Sequence, residues 1–256
     1  MRLGFIGTGA IAEAMIEGLC GVGGFAGEIV VSERSAQRSA RLAARHANVR
    51  VESDNQALVD ACDRVVIAVL PDQAVDVASG LEFRPDHKVI AVVAGLTQAD
   101  LAPAVAPATA IHRAIPMPPI ERGLGPIPIF PPDAELEALF ATVGTPVPVA
   151  DERQIQAFFA ASGLMAAFFE TVASTATWLE GEDVPPREAA LYASAMFHAL
   201  AALAADADAE GLQGLAPECL TEGGLNDQVL RELREAGWFD ALKGRLDRLM
   251  TRLDGA

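Results

Sequence analysis

Lysine is almost missing from this chain: its 256 residues hold two, Lys88 and Lys243. With 19 basic against 35 acidic side chains the net charge is −16. A surface that acidic repels nucleic acid and anionic lipid and excludes both as partners. An anionic ligand must then be held by backbone N–H groups, helix N-termini and a few local arginines. Cysteine is scarce too. Cys20, Cys62 and Cys219 lie far apart with no metal-ligand spacing. Such a sparse, odd set suits a reducing cytoplasm, where cysteine packs as a small hydrophobe. His46, His87, His112 and His198 show no ligand spacing either, so no metal is expected. No apolar run is read as approaching the roughly 20 residues that span a bilayer. The apolar stretch after Arg2 resembles a signal peptide, but Gly7 and Gly9 interrupt it, and it reads as a first strand.

What remains is a globular composition, 51% apolar and 21% charged, long enough for one large domain or two ordinary ones with real cores. Residues 2–6, 28–32, 49–51, 64–69, 88–93 and 109–115 read as short apolar strands with little alternation. That pattern fits a parallel sheet covered on both faces. Helical patterns at 11–19 and 36–46 separate them, with Ser35 placed to cap the second. Residues 125–130 and 146–150 add two late strands around a helix at 133–143. The fold class is therefore α/β: a Rossmann-type, doubly wound, mainly parallel sheet over residues 1–150, then an all-helical domain over 151–256. That second part reads as helices at 154–180, 186–207, 225–236 and 239–253. The first of them is apolar on nearly all sides, through Phe158, Phe159, Phe168, Phe169 and Trp178 among others. Such a helix must be buried all round, so a homodimer or higher homo-oligomer through the C-terminal helices is expected.

The sharpest motif comes first. Gly7, Thr8, Gly9, Ala10, Ile11 and Ala12 fit G-x-G-x-x-A between a strand and an amphipathic helix. Gly7 permits a tight turn, Gly9 lets backbone approach a pyrophosphate, and Ala12 packs the helix on the sheet. The helix N-terminus offers N–H groups to a diphosphate. The second strand ends at Ser32, Glu33, Arg34 and Ser35. An acid there suits the NAD ribose, while an arginine among hydroxyls suits the NADP 2′-phosphate. Arg34, backed by Arg38, favours NADP over NAD; a merely solvated helix start stays open.

The segment from Gly4 to Met15 resembles the opening of pyrroline-5-carboxylate reductases. Further likenesses follow in that family's order: Asp54-Asn55, Ala68-Val69-Leu70-Pro71, Ala94-Gly95-Leu96, the stretch from Arg113 to Pro119, Ser162-Gly163, Pro186-Arg187-Glu188, Gly223-Gly224 and Glu235-Ala236-Gly237-Trp238. The resemblance implies a cytoplasmic enzyme of proline biosynthesis that delivers hydride from NADPH to the C=N carbon of a cyclic imino acid. It implies Asn55 near the adenosine, Ala68, Val69, Leu70 and Pro71 along the dinucleotide, and Ala94 and Gly95 beside the nicotinamide. On the substrate side it implies Ser162, Gly223 and Gly224; Glu222 and Asn226, which stand where the family has other residues, are added from their own chemistry, with Asn226 as the candidate catalytic residue.

Three segments depart from the family. Met117-Pro118 stands for Asn-Thr, Leu164 to Phe168 for Ser-Gly-Pro-Ala-Tyr, and Glu222-Gly223-Gly224-Leu225-Asn226 for Pro-Gly-Gly-Thr-Thr. Glu222 would oppose a substrate carboxylate and attract an amine or iminium; Asn226 would bond substrate or, with Asp227, cap a helix. A different acceptor, such as a ketone or deazaflavin, or a non-catalytic NADP-binding module remains the alternative. The related β-hydroxyacid dehydrogenases rely on a lysine in the long helical region, and neither lysine here is placed for it.

Overall fold

The computed structural model describes residues 1–254. It divides into two compact units, Met1–Phe159 and a second beginning at Ala160.

The first unit runs β1 (Arg2–Ile6), α1 (Ala10–Cys20), β2 (Glu28–Ser32), α2 (Ala36–Arg45), β3 (Val49–Glu52), α3 (Asn55–Ala61), β4 (Arg64–Ile67), α4 (Pro71–Ser79), β5 (Lys88–Ala91), α5 (Gln98–Leu101), β6 (Ala110–Ala114), β7 (Pro126–Phe130), α6 (Ala134–Phe140) and β8 (Thr145–Pro148). The strands form one sheet in the order β3-β2-β1-β4-β5-β6-β7-β8. Pairing is parallel from β3 to β6, antiparallel at β6–β7 and parallel again at β7–β8. The order reverses at β1, which opens the crevice where such sheets take ligands.

Successive strand residues enter different cores. Phe5 and Val66 pack with Ile16, Leu42 and Phe140, whereas Ile6, Val65 and Ile67 pack with Leu58, Ala74 and Val105. Both faces are therefore covered, which is why these strands read as continuous apolar runs. The helices α3, α4 and α5 escape a reading by periodicity because they hold only 7, 9 and 4 residues. Capping marks them instead. Asp54 Oδ1 accepts from Gln56 N–H at 2.7 Å, Pro71 opens α4, and Thr97 with Asp100 forms a reciprocal box on α5. Ser35, expected to cap α2, makes no capping bond. Glu33–Ser35 is a 3₁₀ turn, and Ser35 joins it to α2 with a non-helical backbone, φ −103° and ψ +68°.

The second unit is all helix and turn among the described residues. It contains the end of α7 (Glu152–Ser162), then α8 (Met165–Gly181), α9 (Pro186–Asp206), α10 (Ala209–Glu218), α11 (Leu225–Glu235) and α12 (Trp238–Asp254). The single helix expected over 154–180 is broken. Gly163 and Leu164 bond back three residues, to the Ala160 and Ala161 carbonyls, and a Cβ on Gly163 would meet Leu249 Cδ1 at 2.9 Å. That close approach favours the bare backbone of glycine. Gly211, Gly214 and Pro217 hide α10 from a pattern search, while Asp208 caps it through Gly211 N–H at 2.7 Å.

α8 and α9 pack on each other, with Phe168 edge-on to Phe197 at 6.0 Å. Their outer sides are bare: Phe169, Trp178 and Leu203 are 58%, 64% and 60% exposed. By length and composition Glu152–Gly181 and Pro186–Asp206 are apolar enough to cross a membrane, which corrects the expectation that no segment is. The apolar residues are spread among alanines and small polar residues rather than joined in one run.

Two buried histidines set an acid limit on this fold. Burial, helped by the neighbouring Arg84, holds His87 below its ordinary range. Burial does the same to His112, against the support of the Pro131 carbonyl and Asp133. The unfolded chain binds these protons first as pH falls, so their contribution is full above about pH 6.5 and is lost below it. We expect chemical denaturation to show unfolding free energy falling between about pH 7 and 5.5, before most carboxylates titrate. The same series in a His87→Gln, His112→Gln protein should be flatter over that window.

Candidate functional site

The turn after β1 is shaped by what surrounds Gly7. Its φ is +96°, and a Cβ there would sit 2.6 Å from the Ala68 carbonyl oxygen. Only glycine fits that conformation and that space. The Gly7 N–H donates to Ser32 Oγ at 2.9 Å, and Thr8 Oγ1 lies 3.5 Å from the Ser32 carbonyl oxygen. Ser32 is buried; its hydroxyl is already occupied in tying the tip of β2 to the glycine turn. Gly9 is the N-cap of α1 with no side-chain cap. A Cβ on Gly9 would meet only the Ala68 oxygen at 3.9 Å, so the space over it is open. Ala10 is exposed and Ala12 is fully buried on the sheet. The first-turn N–H groups of α1 are thus uncapped beside a bare approach, the arrangement that takes an anion.

At the tip of β2, Glu33 and Arg34 are exposed, and Arg34 has no ion pair among the described residues. Arg38 is engaged by Glu13 at 3.3 Å, and Arg41 also bonds Glu13. The cation left over for a phosphate is Arg34, with Ser35 half-buried beside it. Asn55 begins α3 on the Asp54 cap. Ala68 follows the end of β4, its N–H bonded to the Ile6 carbonyl, and Val69, Leu70 and Pro71 lead into α4 with Leu70 and Pro71 exposed. Ala94 and Gly95 follow β5; Gly95 has φ +72° and nothing within 4 Å of a Cβ position. All these positions follow the C-terminal ends of parallel strands. The Lys88–Asp133, Lys88–Glu135 and Arg64–Glu135 pairs tie the starts of β4 and β5 to α6, at the opposite end. They are structural, and His112, 3.7 Å from Asp133, belongs with them.

Two contacts made by this region escape sequence reading, although Arg113 and Met117-Pro118 do not. Arg113 on β6 is sealed, its side chain 3% exposed, and Nη1 donates to Glu152 Oε1 at 3.1 Å. The same oxygen accepts from Gln98 N–H at 2.7 Å. Burial pulls the Arg113 guanidinium down while the Glu152 carboxylate holds it up. A lone glutamate opening a helix reads as an ordinary first-turn acid, so no local signal marks it. Met117 and Pro118 lead into the 3₁₀ turn Pro118–Arg122. A Cβ on Gly18 would collide with the Ile120 carbonyl oxygen, so this turn packs against α1.

The second unit carries the remaining candidates. Gly223 has φ +69° and Gly224 caps α11. The Gly223 N–H donates to Asp227 Oδ2 at 3.1 Å, and Asn226 Nδ2 donates to the Cys219 carbonyl at 3.0 Å. Asn226 thus joins the end of α10 to the start of α11, and Asp227 brings its own carboxylate to the turn. Glu222 is exposed beside them, and Ser162 closes α7.

A family model described as "NADP oxidoreductase coenzyme F420-dependent" matches residues 2–95. Pyrroline-5-carboxylate reductase of Pseudomonas aeruginosa is 31% identical over 178 residues, 66% of this chain and 64% of that protein. The chain therefore spans less than two thirds of the length of that curated relative. Among solved structures, 1-pyrroline-5-carboxylate reductase from Streptococcus pyogenes superposes with a TM-score of 0.84 at 20% identity, over all of this chain and 99% of the other. Plasmodium falciparum pyrroline carboxylate reductase with NADP bound gives 0.84 at 17% identity, over all of this chain and 97% of that one.

Proposed function

We propose that this chain, a divergent relative of the pyrroline-5-carboxylate reductases, is an NADPH-dependent reductase of the C=N bond of a cyclic imino acid or a related imine. One observation carries the reading. A glycine turn that excludes side chains delivers open space to the uncapped start of α1, in a chain 31% identical to a named pyrroline-5-carboxylate reductase.

The dinucleotide fits the residues present. The turn Gly7 to Ala12 would hold the diphosphate through backbone N–H groups, with Ser32 supporting the turn from behind rather than touching phosphate. Arg34 would meet the 2′-phosphate, with Ser35 beside it. Asn55 would lie by the adenosine, Ala68 to Pro71 along the dinucleotide, and Ala94 and Gly95 by the nicotinamide. When bound, the reduced nicotinamide supplies the hydride. The chain's own part is to orient and to exclude water. A cyclic imine takes up a proton near neutrality, so its iminium carbon accepts hydride without a strong general acid.

On the substrate side we assign Ser162, Glu222, Gly223, Gly224 and Asn226. Here the acids matter. Asp227 already accepts from Gly223 N–H and Glu222 stands next to it, so a substrate carboxylate meets two negative charges at the start of α11. This favours, as a second reading, an acceptor that carries no carboxylate. The bare outer faces of α8 and α9 support a homodimer, since a surface of charge −16 does not favour anionic lipid. Three unpaired cysteines suit the cytoplasm.

Nicotinamide oxidation with pyrroline-5-carboxylate, pyrroline-2-carboxylate, a piperideine carboxylate and carboxylate-free 1-pyrroline tests the proposal. We expect turnover of at least one, faster with NADPH than NADH. Arg34→Ser should raise KM for NADPH about tenfold or more, the loss of one charge-assisted contact, and leave KM for NADH nearly unchanged. NADPH binding with no turnover across the panel would leave a nucleotide-binding module instead.

A further inference from the structure

We propose that Glu152 is a positioning residue that anchors the turn of residues 94–98 through the main chain of Gln98, with Arg113 holding its carboxylate in place. The proposal rests on the reductase reading, which puts that turn beside the nicotinamide.

The turn has little to fix it from within. Gly95 is in the left-handed region with open space around it, and α5, which follows, has only four residues. The reciprocal bonds between Thr97 and Asp100 define the local bend but attach it to nothing else. Attachment comes from Gln98. Its N–H donates to Glu152 Oε1 at 2.7 Å, and its side-chain amide donates to the Ile111 carbonyl on β6 at 2.9 Å. One residue therefore stitches the turn both to α7 and to the sheet.

Arg113 explains why the carboxylate stays where it is. Its guanidinium is sealed from solvent, Nη1 points to the oxygen that receives Gln98 N–H, and Nε is buried without a hydrogen-bond partner. A cation enclosed in this way has no reach to a ligand. It confines Glu152 to one rotamer, because any other leaves a buried charge uncompensated. Hydride transfer depends on placement, and a displacement near 1 Å can cost about 100-fold in rate.

Two substitutions separate anchoring from stability in the full chain. Glu152→Gln keeps an oxygen for Gln98 N–H but removes the charge facing Arg113. Glu152→Ala removes both. Both proteins should melt earlier than wild type. Only Glu152→Ala should lose kcat, by about 10- to 100-fold, with KM for NADPH within about threefold, and only there should the Gln98 amide exchange faster with solvent. Equal kcat loss in both variants, or wild-type kcat and wild-type Gln98 exchange in Glu152→Ala, would overturn the anchor. If wild type reduces no imine, the reductase reading falls, and the Gln98 exchange comparison alone decides whether Glu152 holds the turn.

Discussion

Gly7→Ala should bind NADPH at least about 100-fold more weakly than wild type, roughly 2.7 kcal/mol, and should also melt earlier. The added carbon would lie 2.6 Å from the Ala68 oxygen and 2.8 Å from its carbonyl carbon. Both are main-chain atoms at the end of β4, which cannot swing aside as a side chain would. The residue would also have to hold φ at +96°, strain of roughly 1–3 kcal/mol for a side-chain-bearing residue. Relief requires the turn to move, and moving it breaks the bond from Gly7 N–H to Ser32 Oγ. Gly9→Ala is the matched control, because its Cβ meets nothing closer than 3.9 Å. That protein should fold with unchanged stability and still lose the dinucleotide, since the new methyl fills the space the diphosphate needs. Fluorescence titration with NADPH and thermal melts of both variants check the pair. Binding within a few-fold of wild type in Gly9→Ala would mean that no diphosphate approaches this turn.

The contrast between those glycines also marks how far sequence reasoning reaches. The sheet was legible because its central strands β1, β2, β4, β5 and β6 are buried on both faces, so local composition alone distinguishes them. The glycine turn was legible because its residue types are dictated by backbone geometry within a few positions. Ser32 was harder to read. A hydroxyl at the end of β2 has the right chemistry for a phosphate, but its partner is Gly7 N–H, 25 residues away. Glu152 and Gln98 are 54 residues apart, and nothing at either position announces the other. The break at Gly163 was hidden for a related reason: helical periodicity continues through it, and the close approach of Leu249 comes from far along the chain.

The substrate side shows the same limit in sharper form. Asn226 stood out because it replaces a hydroxyl residue of the family pattern, and its amide turns out to serve the Cys219 carbonyl. Asp227 attracted less notice, yet it is the residue whose carboxylate meets Gly223 N–H. Side-chain chemistry was readable there; direction was not. Electrostatic placement of two acids at a helix start is what turns a family likeness into a question about the substrate's own charge.

The same logic applied to α8 and α9 gives the other large effect. If α8 and α9 form the proposed dimer, Trp178→Asp combined with Leu203→Asp should give a monomer that remains folded at its N-terminal unit. Trp178, Leu203 and Phe169 are 64%, 60% and 58% exposed in the single chain. Apolar surface on that scale marks an interaction site in a soluble protein. A buried tryptophan contributes roughly 2 kcal/mol or more to an interface. Two buried charges added to its loss should weaken dimerisation about 1,000-fold or more, since each 1.4 kcal/mol is tenfold. Light scattering coupled to size-exclusion chromatography should therefore give twice the 26.8 kDa chain mass for wild type and that mass itself for the variant. NADPH affinity should change little, because the glycine turn, Ser32 and Arg34 all belong to the first unit. A wild-type protein that elutes as a monomer at micromolar concentration would leave these helices without their proposed cover. A protein that requires detergent would point to lipid instead of a second copy.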